Sequence, residues 1–100
     1  MGIVEHTVSV GGTAVRATTD PEFLLFVRME NETGSDAVYA GTTSAVSSSD
    51  YAFSVLPEAA DRSNAVTIGP FPAAHIPLHE LWFVAPGGTG ATLHVVGVKL

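Results

Sequence analysis

Ten glycines and six prolines break this chain every ten residues or so, too often for long helices to form. Such punctuation suits many short strands joined by turns. The residues between the breaks agree. In IVEHTVSV, Val4, Val8 and Val10 share one face, with His6 as the polar member of that row, and Glu5, Thr7 and Ser9 share the other. Side chains that switch faces at every residue are the mark of a strand with one buried side. DYAFSVL repeats the pattern with Tyr51, Phe53 and Val55 on one face. AVYAG, AVTIG, LHELWFVA and ATLHVVGVKL read as further strands, and TTSAVSSS as a polar connection holding one residue for the core, Val46. Gly11-Gly12 reads as a tight turn that closes a first hairpin with TAVRAT, and PGGTG as a hairpin loop before the last strand. NETGSD and PEAADRSN read as loops, and PFPAAHIP as an irregular, proline-rich segment.

One segment admits two readings. In DPEFLLFVRMEN, Asp20, Pro21 and Glu22 could start a helix. The run from Phe23 to Val27 is continuously apolar, and a helix there would be greasy all round. A strand of about nine residues buried on both faces accounts for the run more economically. The expectation is an all-β chain, an antiparallel β-sandwich or jelly-roll-like barrel of about eight strands. Its 100 residues fit one domain over 1–100, with 1–20 as an N-terminal arm or hairpin.

Composition narrows function. Apolar residues make up 46% of the chain and charged residues only 14%, so a core can form while few charges remain to cover the surface. Some of that surface is expected to face another subunit or partner. Ten acids oppose four scattered bases (Arg16, Arg28, Arg62 and Lys99), a formal charge of −6. Without clustered cations to displace phosphate counterions, no nucleic acid is expected as partner, and no anionic membrane surface either. No run approaches the ~20 apolar residues of a membrane span. MGIVEHTVSV lacks the basic and apolar regions of a signal peptide, and His6 stands where myristoylation wants Ser or Thr, so a soluble chain made in a cytoplasm is expected. With no cysteine, disulfides and thiolate metal sites are excluded.

Chemistry-bearing motifs are sparse. In HIPLHE, His75 and His79 are four apart, but Pro77 between them breaks a helix. Only a trio with His94, assembled by the fold as in cupin-like sandwiches, would make a metal site; no metal and no cofactor is expected. There is no G-x-S-x-G, and the ten acids sit mostly at turns as a solvated surface, so no enzyme is expected. PGGTG lacks the Lys-Ser/Thr of a phosphate loop. The triplet at Asn31 is a glycosylation signal only in a secretory setting. Phe26, Phe53 and Phe83 read as core. Trp82 and Phe83 must face opposite ways, and the outward one is a candidate anchor. Phe71 and Ile76, in a segment without regular pairing, read as contacts to a neighbour, and Gly2 to Val4 as an arm that adds to a neighbouring sheet edge. The candidate contact residues are therefore Ile3, Val4, Phe71, Ile76 and Trp82.

A series of short motifs carries a resemblance: Val27-Arg28-Met29-Glu30-Asn31, Val38-Tyr39-Ala40-Gly41, Thr42 to Val46, Tyr51-Ala52-Phe53, Leu81-Trp82-Phe83-Val84 and Leu93-His94-Val95-Val96. Their order from Phe23 to Leu100, about three-quarters of the chain, resembles a small β-sandwich domain of tailed-bacteriophage virion proteins, of head-decoration or fibre type. The hairpin over Val4 to Thr18 and the long, proline-rich stretch from Pro57 to Pro77 depart from that pattern. The resemblance implies an assembly part rather than an enzyme: a capsid decoration (cement) protein on the virion surface, a homo-oligomer (a trimer by family analogy), with the major capsid protein or another virion protein as partner. The alternative is a carbohydrate- or receptor-binding module of a tail or head fibre, which an exposed row of aromatics on one sheet would favour.

Overall fold

A computed structural model describes residues 2–32, 36–57, 65–73 and 76–99. Nine strands appear among them: β1 (Gly2–Val10), β2 (Val15–Arg16), β3 (Phe23–Asn31), β4 (Val38–Gly41), β5 (Phe53–Val55), β6 (Ala65–Ile68), β7 (Ile76–Pro77), β8 (Trp82–Val84) and β9 (Ala91–Lys99). They form two antiparallel sheets. A long sheet runs β1-β9-β3-β6, with β7 also paired to β3, and a short sheet runs β2-β8-β4-β5. The chain changes sheet after β1, β2, β3, β5, β7 and β8, which is the winding of a jelly roll. The expected β-sandwich is thus present, and Phe23–Asn31 is a strand, not a helix.

The two sheets meet through alternating residues. Val8 and Val10 from β1, Leu24, Val27 and Met29 from β3, and Leu93 and Val95 from β9 face Val38 and Ala40 from β4, Val55 from β5 and Phe83 from β8. Val4, Val15 and Phe53 pack against this core while partly buried. Phe26 is half-buried on the opposite face of β3, so of the three expected core phenylalanines only Phe83 is fully enclosed.

Three connections differ from expectation. Val4 to Thr18 is not a hairpin: β1 pairs with β9 over its whole length, from Gly2↔Lys99 to Val10↔Ala91, while β2 pairs with β8 in the other sheet. Gly11 and Gly12 bridge the sheets and do not adopt the positive φ a primed hairpin turn needs. PGGTG likewise carries the chain from β8 to β9 across the sandwich, with Gly88 and Gly90 at positive φ. LHELWFVA is a strand only from Trp82, since Leu78–Glu80 forms one 3-10 turn. Leu78 and Leu81 are both buried, and a three-residue repeat puts them on one side where a strand would separate them.

Polar anchors lock one end. Asn31, fully buried at the end of β3, donates through Nδ2 to the Asp36 and Val55 carbonyls at 2.7 and 3.0 Å. Its amide is committed to the fold, so the glycosylation triplet has no accessible acceptor. The middle of NETGSD and most of PEAADRSN lie outside the described residues.

Candidate functional site

Two outward faces and the histidines hold what the core does not use. On the long sheet, Ile3, Glu5, Thr7 and Ser9 of β1 point away from the core. Register places Ile3 beside Val98 and Val98 beside Phe26, an apolar row across three strands. Ile3 is 73% exposed, and Val96, two residues from Val98 on the same face, is also exposed. Phe71 joins this end of the sheet: its N–H donates to the Leu25 carbonyl at 2.9 Å, and its ring is exposed. The next rows are polar, with Glu5, Val96, Arg28 and Thr67 aligned and then Thr7, His94, Glu30 and Ala65. Arg28 pairs with Glu30, and His94 Nε2 meets Glu32 Oε1 at 2.9 Å. An apolar row therefore ends against a charged field.

The outer face of the short sheet is aromatic. Trp82 aligns with Arg16 on one side and Gly41 on the other, and Tyr39 lies diagonally across from Trp82. The Arg16 guanidinium sits 4.8 Å from the Trp82 ring centre and donates to the His79 carbonyl at 3.4 Å. The β4–β5 connection folds back over this face. Val46 covers Gly41 so closely that a Cβ there would lie 3.0 Å from its Cγ2, and Tyr51 packs on Tyr39 with ring centres 4.9 Å apart. Beside them opens a cleft of about 300 Å³ lined by Gly41, Thr42, Thr43, Val46, Asp50, Tyr51 and Ala52.

The three described histidines each have partners of their own. His6 Nε2 contacts both Glu22 carboxylate oxygens, at 3.0 and 3.3 Å. His79 Nδ1 accepts the Glu22 N–H at 3.1 Å, and its ring meets Phe23 edge-on. His94 is committed to Glu32 on the outer face of the long sheet. His75 lies outside the described residues. Among the described residues, no group of three His, Cys, Asp or Glu is placed to share a metal ion.

Of the sequence-derived contact candidates, Ile3 and Phe71 are exposed and Trp82 is half-buried and outward-facing. Two need correction. Ile76 is buried in the core: β7 pairs with β3 and sets Ile76 beside Leu24, so a proline-rich stretch read as irregular holds a strand. Val4 is partly buried against the core and sits opposite Gly97, so Gly2 to Val4 is part of the chain's own sheet rather than a loose arm. Phe26, Val96 and Val98 were missed as surface residues. Their signal was the outward phase of β3 and β9, legible only once the inward phase is known. Comparison with family models, with curated proteins and with solved structures finds no match.

Proposed function

We propose that this chain is a bacteriophage virion structural protein, a capsid decoration (cement) protein that binds the assembled head through the outer face of its long sheet. The observation that carries the reading is the row Ile3–Val98–Phe26, flanked by Val96 and Phe71, on a face the sandwich core does not use. The low charge and the motif order described above point the same way. Burying one such side chain contributes ~1.5–3 kcal/mol, whereas association costs an estimated 4–15 kcal/mol. A few of these residues therefore hold one copy only weakly, and firm attachment needs linked copies acting by avidity. The partner is the major capsid protein or another virion protein, the acting form a homo-oligomer, and the location the capsid surface. A protein that binds the expanded shell and not its precursor stabilises the expanded state by mass action. The test is co-sedimentation of purified protein with heads of the phage that encodes it. Saturable binding to expanded shells, with a raised disruption temperature, is expected; no binding to any head form would refute the reading.

A second reading, a carbohydrate- or receptor-binding module, is favoured by Tyr39, Tyr51 and Trp82 on one sheet face beside a cleft with threonine hydroxyls and the Asp50 carboxylate. Aromatic rings supply rigid amphipathic contact area there, and hydroxyl and carboxylate groups supply hydrogen bonds. A glycan array and calorimetry with its best hits would test it.

A further inference from the structure

Among the described residues, the long sheet leaves one full-length strand unpaired on one side. There β1 spans nine residues and pairs only with β9, whereas the other edges are β2 with two residues, β5 with three, β6 with four and β7 with two. An exposed row of backbone donors and acceptors templates pairing with another chain, and proteins usually blunt such edges with proline, lysine, a bulge or a short strand. β1 has none of these: its register with β9 is unbroken, and Glu5 is its only acidic or basic residue apart from His6.

Which backbone groups are free follows from the ladder. The Glu32 N–H donates to the Thr92 carbonyl, extending the β3–β9 pairing in which Asn31 opposes Leu93. Bonded pairs alternate along an antiparallel ladder, so Thr92, His94, Val96 and Val98 turn their backbone groups to β3, and the residues between them turn theirs to β1. Through the register, Gly2, Val4, His6, Val8 and Val10 bond to β9, and Ile3, Glu5, Thr7 and Ser9 offer N–H and C=O to the open edge.

We propose that β1 pairs antiparallel with β1 of a second copy about a two-fold axis, with His6 opposite His6, joining two long sheets into one. This register overlaps the whole strand, from Gly2 opposite Val10 to Val10 opposite Gly2. The free groups of Ile3 meet those of Ser9, and those of Glu5 meet Thr7, for about eight hydrogen bonds between copies. Val4 falls opposite Val8, both on the inward face. Charge and overlap together favour this register. A slip that pairs Ile3 with Thr7 would set Glu5 against Glu5, and like charges directly opposite are destabilising. The opposite slip, Glu5 against Ser9, shortens the overlap to residues 4–10. An isologous contact of this kind closes at two copies and leaves the Ile3–Val98–Phe26 rows of both on one face. The inference goes beyond the virion reading and does not depend on it, and it replaces the three-fold assembly implied by resemblance with a two-fold one.

The test is sedimentation equilibrium of the purified chain together with single-cysteine cross-linking. Twice the 10.3 kDa chain mass is expected, falling to one chain mass in Thr7→Pro, which deletes an edge N–H that makes no bond to β9. Residues opposed at a non-bonded pair have Cα atoms about 4.5 Å apart, within disulfide range. His6→Cys should therefore oxidise to a covalent dimer in this otherwise cysteine-free chain. Ser9→Cys should not, because the two Ser9 positions would lie roughly 20 Å apart, six residues along the strand. A wild-type chain that stays monomeric or sediments as a trimer, or a Ser9→Cys variant that cross-links as readily as His6→Cys, would overturn the proposal. Circular dichroism of each variant separates lost pairing from lost fold.

Discussion

The Asp36 carboxylate accepts the backbone N–H of Gly90 at 2.7 Å, joining positions 54 residues apart. The same oxygen accepts the Thr89 N–H at 2.8 Å, so one side chain holds the loop that carries the chain from β8 to β9. Asp36→Ala removes an ionised acceptor from two donors. Such bonds are worth ~1.5–3 kcal/mol when buried, and partial exposure here puts the expected loss at the low end. Urea denaturation should show it, with Asp36→Asn losing less.

The winding that this contact secures was not legible in the sequence, although most of the strands were. Alternation in IVEHTVSV and the apolar run in FLLFVRMEN are local properties, and both segments are strands. Which sheet the next strand joins is not local. Gly11-Gly12 and PGGTG have the composition of hairpin turns, yet each passes between sheets, because β9 occupies the place beside β1 that β2 would have taken. Ile76 escaped for a related reason, since Pro77 disguised a short strand on the edge of β3. Among the contact residues, Trp82 was readable from face alternation, whereas Ile3 was singled out as part of an arm and is exposed because it points outward on β1. Phe26 was not readable, because a register shift between Leu24 and Phe26 turns it outward within an unbroken apolar run.

Packing between β9 and β3 gives a second prediction. A Cβ on Gly97 would lie 2.6 Å from Leu24 Cδ1 and 3.1 Å from the Phe26 carbonyl. Gly97→Ala should destabilise by about 1–3 kcal/mol through overpacking. Combined with Leu24→Ala it should cost less than the two single effects added, because the deleted side chain makes the room. A double-mutant cycle by thermal unfolding checks this, and strict additivity would contradict the contact.

Core and surface aromatics should separate cleanly. Phe83→Ala opens a cavity between the sheets and should cost about 3–5 kcal/mol. Tyr51→Ala removes a ring that is 47% exposed and pairs with Tyr39, and should cost only about 0.5–1.5 kcal/mol. Chemical denaturation of both measures the difference. If the second functional reading holds, Tyr51→Ala also abolishes glycan binding while the fold persists.

The apolar row should matter for attachment and not for folding. Ile3→Ser changes a side chain that is 73% exposed and leaves every backbone bond of β1 in place. Stability should stay within about 0.5 kcal/mol of the parent. Affinity for expanded heads should fall at least tenfold while self-association through β1 persists. Loss of association with retained head binding would mean that the two surfaces had been assigned the wrong way round.

On the proposed virion reading, electron cryo-microscopy of the particle that would carry this chain is the decisive measurement. Jelly-roll density is expected at regular positions on the head, in a copy number that follows capsid symmetry, with the face bearing Ile3, Val98 and Phe26 against the shell. Particles lacking that density on the head, or holding a handful of copies at the tail alone, would contradict that reading.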